Sequence, residues 1–247
     1  MNTILRTSKP SKERTHTALN LRQYNHYNHP WDVGRFDLDI PGKHDQYILR
    51  MLVRDSIRED HIPDELSWLL PLYQEALLRE KELGLNHPYV YITVRSGEVR
   101  SKTDDDWHVD GFSTKITHLP ESNYIWTNSI PTEVYSMPML IPDRFDPRKH
   151  NLHSYINTQI NPVFIRRCEE KHLYRIDPYV IHRRPPGTAG LIRTFVRITF
   201  CPIIINDVNN TPNEKLPMVC TQDGVGVRNQ LCDYHTDPDI HTSYRVS

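Results

Sequence analysis

The chain has 247 residues, enough to bury a sizeable core as one large domain, and no Gly/Ser linker or repeat divides it. Its formal net charge of −1 argues against a broad electrostatic surface for nucleic acid. A modest apolar share of 37% with 19 prolines against 9 glycines fits many short elements joined by rigid turns.

Residues 1–20 are polar and mildly basic and read as a flexible tail. They contain no apolar leader, and no 18-residue apolar run follows, so no membrane association and a cytoplasmic location are expected. The stretch YNHYNHPW (24–31) reads as an aromatic-rich surface loop. Residues 46–58 carry Ile48, Met51, Leu52 and Ile57 near helical spacing, and a second helix follows from an N-cap at Asp64, broken or kinked at Pro71 and stopped by Gly84 and Pro88. These segments predict a helical layer over about 46–84.

After Pro88 the period changes to two. YVYITVRSG (89–97) sets Val90, Ile92 and Val94 against Tyr91, Thr93 and Arg95, which is strand alternation. NYIWTNSI, TEVYSM, HLYRI, YVIHR and LIRTFVRITFCPIII read as further strands, and HNLHSYIN (150–157) is ambiguous. The expected fold is α+β and mainly β: a jelly-roll core over about 88–205 with N-terminal helices packed on one sheet, then an extension over 206–247. Residues 21–247 are expected to form a single catalytic domain. The four cysteines, Cys168, Cys201, Cys220 and Cys232, lack C-x-x-C spacing and read as reduced thiols.

Chemistry concentrates in TDDDWHVDGF (103–112). On a strand, His108 and Asp110 share a face about 6.6 Å apart along the chain, so both can reach one ion while Val109 packs the other way. A third ligand is needed, and His182, at the end of a β-rich run, can be brought beside His108 by antiparallel pairing. Two imidazoles and one carboxylate leave coordination positions open, the arrangement of non-haem Fe(II) oxygenases. Asp104, Asp105 and Asp106 read as a solvated loop. His150 and His153 border the mouth, and Trp107 packs around the ligand segment.

With RTFVRITF downstream, the pattern resembles the Fe(II)/2-oxoglutarate-dependent dioxygenases from about residue 88 to 203: His-x-Asp, a distal His, then an arginine ten to fifteen residues on. The resemblance implies a double-stranded β-helix, Fe(II) held by His108, Asp110 and His182, and 2-oxoglutarate and O2 as cosubstrates. It further implies hydroxylation of a substrate coupled to decarboxylation of 2-oxoglutarate to succinate. Asp110 stands where the family's halogenases leave a place for chloride, so hydroxylation, or a related desaturation or ring closure, is expected ahead of halogenation. Strand alternation places Arg193, Phe195, Arg197 and Thr199 on one face. An arginine fork suits the distal carboxylate of 2-oxoglutarate, and Arg193, eleven residues after His182, is preferred to Arg197. Thr127 and Thr199 are further cosubstrate candidates, and Arg183, Arg184 and Trp107 are substrate candidates. The expected substrate is a small polar or anionic molecule. Three alternatives remain: the same chemistry on a nucleic-acid base or protein side chain, a cupin-like metal protein without oxygenase activity, and a metal-free β-sandwich in which the three ligands are unrelated in space.

Overall fold

The computed structural model describes residues 20–41, 46–56, 59–100, 104–111, 121–205, 207 and 209–216. The expected tail, apart from Asn20, and most of the expected extension lie outside them, as do Ile57, Phe112, Cys220 and Cys232. The described residues form nine strands and two α-helices. The strands are β1 (Trp31–Arg35), β2 (Gln46–Arg54), β3 (Tyr89–Glu98), β4 (Ser122–Thr127), β5 (Glu133–Tyr135), β6 (Ile165–Arg167), β7 (His172–Ile176), β8 (His182–Arg183) and β9 (Ile192–Cys201). The helices are α1 (Leu70–Glu82) and α2 (Leu152–Gln159). A six-stranded antiparallel sheet runs β1-β7-β4-β9-β3-β2, and a three-stranded sheet runs β6-β5-β8.

The alternation read in the central strands holds. Val90, Ile92 and Val94 of β3 and Val196, Ile198 and Phe200 of β9 share one core with Leu66, Leu69, Leu72, Tyr73 and Ala76 of the helical layer. Tyr124 and Trp126 of β4 join that same core, so they face the helices and not the site. Ile192, which strand alternation puts on this same apolar face, is 52% exposed at the start of β9.

The helical layer begins later than expected, because residues 46–54 are a strand. In β2 the pairing slips between Ile48, opposite Val94, and Met51, opposite Ile92. The bulge at Leu49 and Arg50 sets the core-facing Ile48 and Met51 three residues apart, then Val53 two further on. Spacing by three imitates a helix in the sequence, and the bulge is its physical source. The helical segment itself starts as a 3-10 turn, Asp64–Leu69, capped by Pro63 and not by Asp64. Pro71 falls in the first turn of α1, where its missing N–H costs nothing, so the expected break is a change of helix type there. The 24–31 stretch is a surface loop only in its middle, where His26, Tyr27 and His29 are exposed; at its ends Tyr24 is buried with its hydroxyl donating to the Pro178 carbonyl at 2.6 Å, and Trp31 is buried in β1.

A buried polar knot fastens α1 to the large sheet. Glu80 accepts from the Tyr124 hydroxyl at 2.9 Å and from Arg175 Nε at 3.2 Å, and His87 Nδ1 lies 2.9 Å from its other oxygen. Arg175 also donates to Ser122 at 2.7 Å. Burial opposes ionisation of Glu80, but the His87 hydrogen bond and the Arg175 charge outweigh it and hold the carboxyl below its ordinary pKa. Glu80→Gln strips Arg175 of its counter-charge and is expected to cost about 3–5 kcal/mol in urea unfolding at neutral pH. Because the folded pKa is depressed, this contribution is full above the ordinary glutamate value and fades as pH falls through the folded one. The stability gap between the two proteins should therefore narrow in acid.

Candidate metal centre

His108 and His182 face each other through the backbone. Each donates its N–H to the other's carbonyl at 3.0 Å, an isolated antiparallel bridge that extends the small sheet beyond β8. His108 thus lies on a bridge and not on a strand of its own, yet the local alternation is kept. Trp107 and Val109 turn into a core with Tyr135, Ile156 and Ile181, while His108 and Asp110 turn toward the large sheet.

The imidazoles lie with ring centroids 4.5 Å apart. His108 Nδ1 is 2.7 Å from the Asp106 carbonyl, and His182 Nδ1 is 2.9 Å from the Val180 carbonyl. A carbonyl only accepts, so each ring carries its proton on Nδ1 and presents a bare Nε2 lone pair. Burial, with the neighbouring His182, lowers the His108 pKa and keeps that ring neutral, as a metal ligand must be. Ligand atoms of His108, Asp110 and His182 all lie within 4.8 Å of one another. Bonds of about 2.1 Å to one ion need separations of about 3–4 Å, so a small contraction suffices. The metal-free expectation, that these residues are unrelated in space, is not met.

Asp110 is held from the opposite sheet. Arg197 Nη1 donates to its Oδ2 at 2.7 Å, and the same oxygen lies 3.4 Å from His182 Nε2. Burial opposes ionisation of Asp110, but the Arg197 charge outweighs it and keeps the carboxyl well below the usual range. The turn after Asp110 requires glycine, because Gly111 has φ +73° and a Cβ there would overlap the Glu121 side chain.

The three residues open on a cavity of about 600 Å³ between the two sheets. Across it stand Arg193, Phe195 and Arg197 of β9. Arg193 is 8% exposed, its Nε donates to Thr127 at 3.1 Å, and among the described residues it has no carboxylate partner. Burial and the charge of Arg184 pull its pKa down to about 10, leaving it a cation at neutral pH. The two candidate arginines are thereby separated: Arg197 is paired with Asp110, and Arg193 is paired with none of the described acids.

The remaining candidates fall into place around this pair. Thr127 does not line the cavity and acts through Arg193. Thr199 lies off the cavity with its hydroxyl donating to Asn123 at 2.6 Å, which removes it from the cosubstrate candidates. Trp107 is buried beneath Arg183, whose guanidinium sits 4.4 Å from its ring, so it supports Arg183 and is not a wall of the cavity. Arg183 and Arg184 both line the cavity, paired with Glu133 at 2.9 Å and Asp105 at 2.6 Å.

Of the three acids expected to form a solvated loop, only Asp106 is exposed. Asp104 pairs with Arg95 and Asp105 with Arg184, so two of them neutralise cavity arginines. His153, on α2, borders the cavity with its ring 6.2 Å from His108, whereas His150 is buried away from it. Arg50 and Arg95 also line the cavity and were not singled out in the sequence. Arg95 was readable as part of the polar face of β3, but Arg50 carries no signal, because a bulge aims it.

No protein-family model matches the chain, and no curated protein matches it. Among solved structures, AviO1 from Streptomyces viridochromogenes Tue57 aligns over 72% of this chain and 76% of its own, with a TM-score of 0.34 and 13% identity. A likeness that slight carries no argument. Among the described residues no helix is long and apolar enough to cross a membrane.

The geometry predicts one divalent-ion site. Manganese titration followed by electron paramagnetic resonance should show a single bound ion in the wild type. His108→Ala and His182→Ala should each weaken it by more than the about 10- to 100-fold that loss of a supporting hydrogen bond costs.

Proposed function

We propose that this protein is an Fe(II)- and 2-oxoglutarate-dependent oxygenase that hydroxylates a small polar or anionic molecule, built on a double-stranded β-helix. The observation that carries this reading is the pairing of two unlike features across one cavity. On one wall stand two bare imidazole nitrogens and a carboxylate. On the other stands a buried arginine with no acid among the described residues to neutralise it. Two antiparallel sheets facing across that cavity support the β-helix reading.

In this reading His108 Nε2, His182 Nε2 and the Asp110 carboxylate hold the metal and leave positions open on the cavity side. The bound iron, with 2-oxoglutarate and O2, supplies the oxidising chemistry, yielding succinate and CO2. The chain's own residues position and shield. Arg193 presents a planar fork to the distal carboxylate of the cosubstrate, with its orientation fixed by the Thr127 hydroxyl and by Phe195, whose ring lies 4.9 Å from the guanidinium. Arg197 fixes the rotamer of Asp110 and keeps it ionised. Phe195, between the two arginines on the same strand face, lends an apolar wall that limits water. The cavity volume is within the range of small-molecule sites and admits a substrate beside the cosubstrate.

Anaerobic addition of Fe(II) and then 2-oxoglutarate should give a weak visible charge-transfer band. His108→Ala should abolish the band. Arg193→Ala should require at least about tenfold more 2-oxoglutarate while leaving manganese affinity near wild type. Arg197→Ala should instead weaken the metal. No band from folded, iron-loaded protein would refute the oxygenase reading and favour a cupin-like metal-binding protein.

A further inference from the structure

We infer that the cavity holds a second anion position, formed by Arg50 and Arg95 at the β2–β3 edge, and that the primary substrate carries a tetrahedral oxyanion, phosphate or sulfonate, seated there. The substrate role rests on the oxygenase reading above; the anion position stands on its own residues.

Strand pairing defines the place. Arg95 of β3 lies opposite Phe195 of β9, and Thr93 lies opposite Arg197. Arg50 sits in the β2 bulge alongside Thr93, with its backbone N–H donating to the Thr93 hydroxyl at 3.1 Å. Arg50 and Arg197 are thus two strand spacings apart, about 10 Å. Arg197 touches Asp110, so an anion at Arg50 and Arg95 would set a substrate carbon several bonds away beside the metal centre. Arg193, opposite Gly97, lies on the other side of Arg95, one strand across and two residues along, and faces the same cavity.

Three observations point to a ligand. First, the Nε of Arg95 is buried and has no hydrogen-bond acceptor among the described residues, as is also true of the Arg197 Nε, although the Arg95 side chain as a whole is 36% exposed and its Nη1 is paired with Asp104. A buried orphan donor is costly, and an acceptor in the cavity removes the cost. Second, Arg50 has φ +44°, a conformation that non-glycine residues seldom adopt, at a bulge that turns its side chain to the cavity. Backbone strain of this kind is maintained where the side chain it aims has work to do. Its nearest acid, Asp207, is 3.8 Å away, longer than a charge-assisted hydrogen bond, and the Arg50 side chain is 39% exposed. Third, seven arginines line the cavity, and Glu133 and Asp105 neutralise Arg183 and Arg184 from outside the lining. Arg193 and Arg50 are left without a close carboxylate among the described residues, so the positive charge that remains is on the large-sheet side. Donors approaching from two strands at different angles match oxygens arranged around a tetrahedron better than the single plane of a carboxylate.

The test is calorimetric titration of the full-length, metal-free protein with inorganic phosphate, sulfate and acetate at constant ionic strength. Because Arg193 offers a carboxylate position of its own, the titration is run on Arg193→Gln protein as well as wild type; there one saturable phosphate or sulfate site is expected, with acetate much weaker. The tighter of the first two identifies a phosphorylated or a sulfonated substrate. Arg95→Gln and Arg50→Gln should each weaken binding about tenfold or more, and Arg193→Gln by less than either. Should Arg95→Gln fail to fold, Arg50→Gln decides, since that side chain is half exposed. Absence of a saturable site would overturn the inference. So would acetate binding as tight as phosphate in Arg193→Gln protein, or binding lost in Arg193→Gln and retained in the other two variants. None of these readouts involves iron or 2-oxoglutarate. A missing charge-transfer band with phosphate bound would therefore fail the oxygenase reading alone, and a band without phosphate binding would fail this inference alone.

Discussion

The reciprocal backbone bridge between His108 and His182 is the constraint from which the candidate centre follows. These residues are far apart in sequence, and only an antiparallel exchange of both N–H groups sets their Cα atoms at the close spacing of a hydrogen-bonded pair. The same exchange dictates that both side chains leave on one face. The neighbouring carbonyls of Asp106 and Val180 then take the Nδ1 protons and turn Nε2 outward. Asp110, two residues beyond His108, shares that face by strand parity. Without the bridge the three groups would have no reason to converge.

The large sheet supplies what the small one lacks. Its helix-facing side is an apolar core that makes β3, β4 and β9 rigid, and the Glu80–Arg175–Tyr124 knot holds α1 against it. Its other side carries the arginines. Guanidinium groups held away from water need partners, and most around the cavity, on either sheet, have one: Arg197 with Asp110, Arg95 with Asp104, Arg183 with Glu133, Arg184 with Asp105. Arg193 departs from that pattern, and Arg95 Nε and the strained Arg50 depart from it in part. The exceptions to electrostatic neutrality are what give the cavity its chemical character.

Charge placement also explains why two arginines four apart on one strand face differ in role. Arg197 reaches across the cavity to the carboxylate of the small sheet and is fixed by it. Arg193 lies further along β9, opposite Gly97, and its nearest polar partner is a neutral threonine. Identical side chains on identical secondary structure therefore meet different fields, and burial depresses the pKa of the one without an acid.

Strand alternation in β3 and β9, the helical layer over 64–82 and the spacing of His108, Asp110 and His182 were all legible in the sequence. Each rests on local periodicity or on residue chemistry, which the chain carries without reference to its fold. The sequence misled over 46–58, because a bulge shifts side-chain parity and so copies helical spacing. It was silent on Arg50, for the same reason. It could not say that Asp104 and Asp105 neutralise arginines, that Thr199 and Trp107 stand off the cavity, or which of Arg193 and Arg197 is engaged by an acid. Those distinctions depend on which residues of distant strands become neighbours. Cross-strand register decides that, and register is a property of the assembled sheets and not of any one segment.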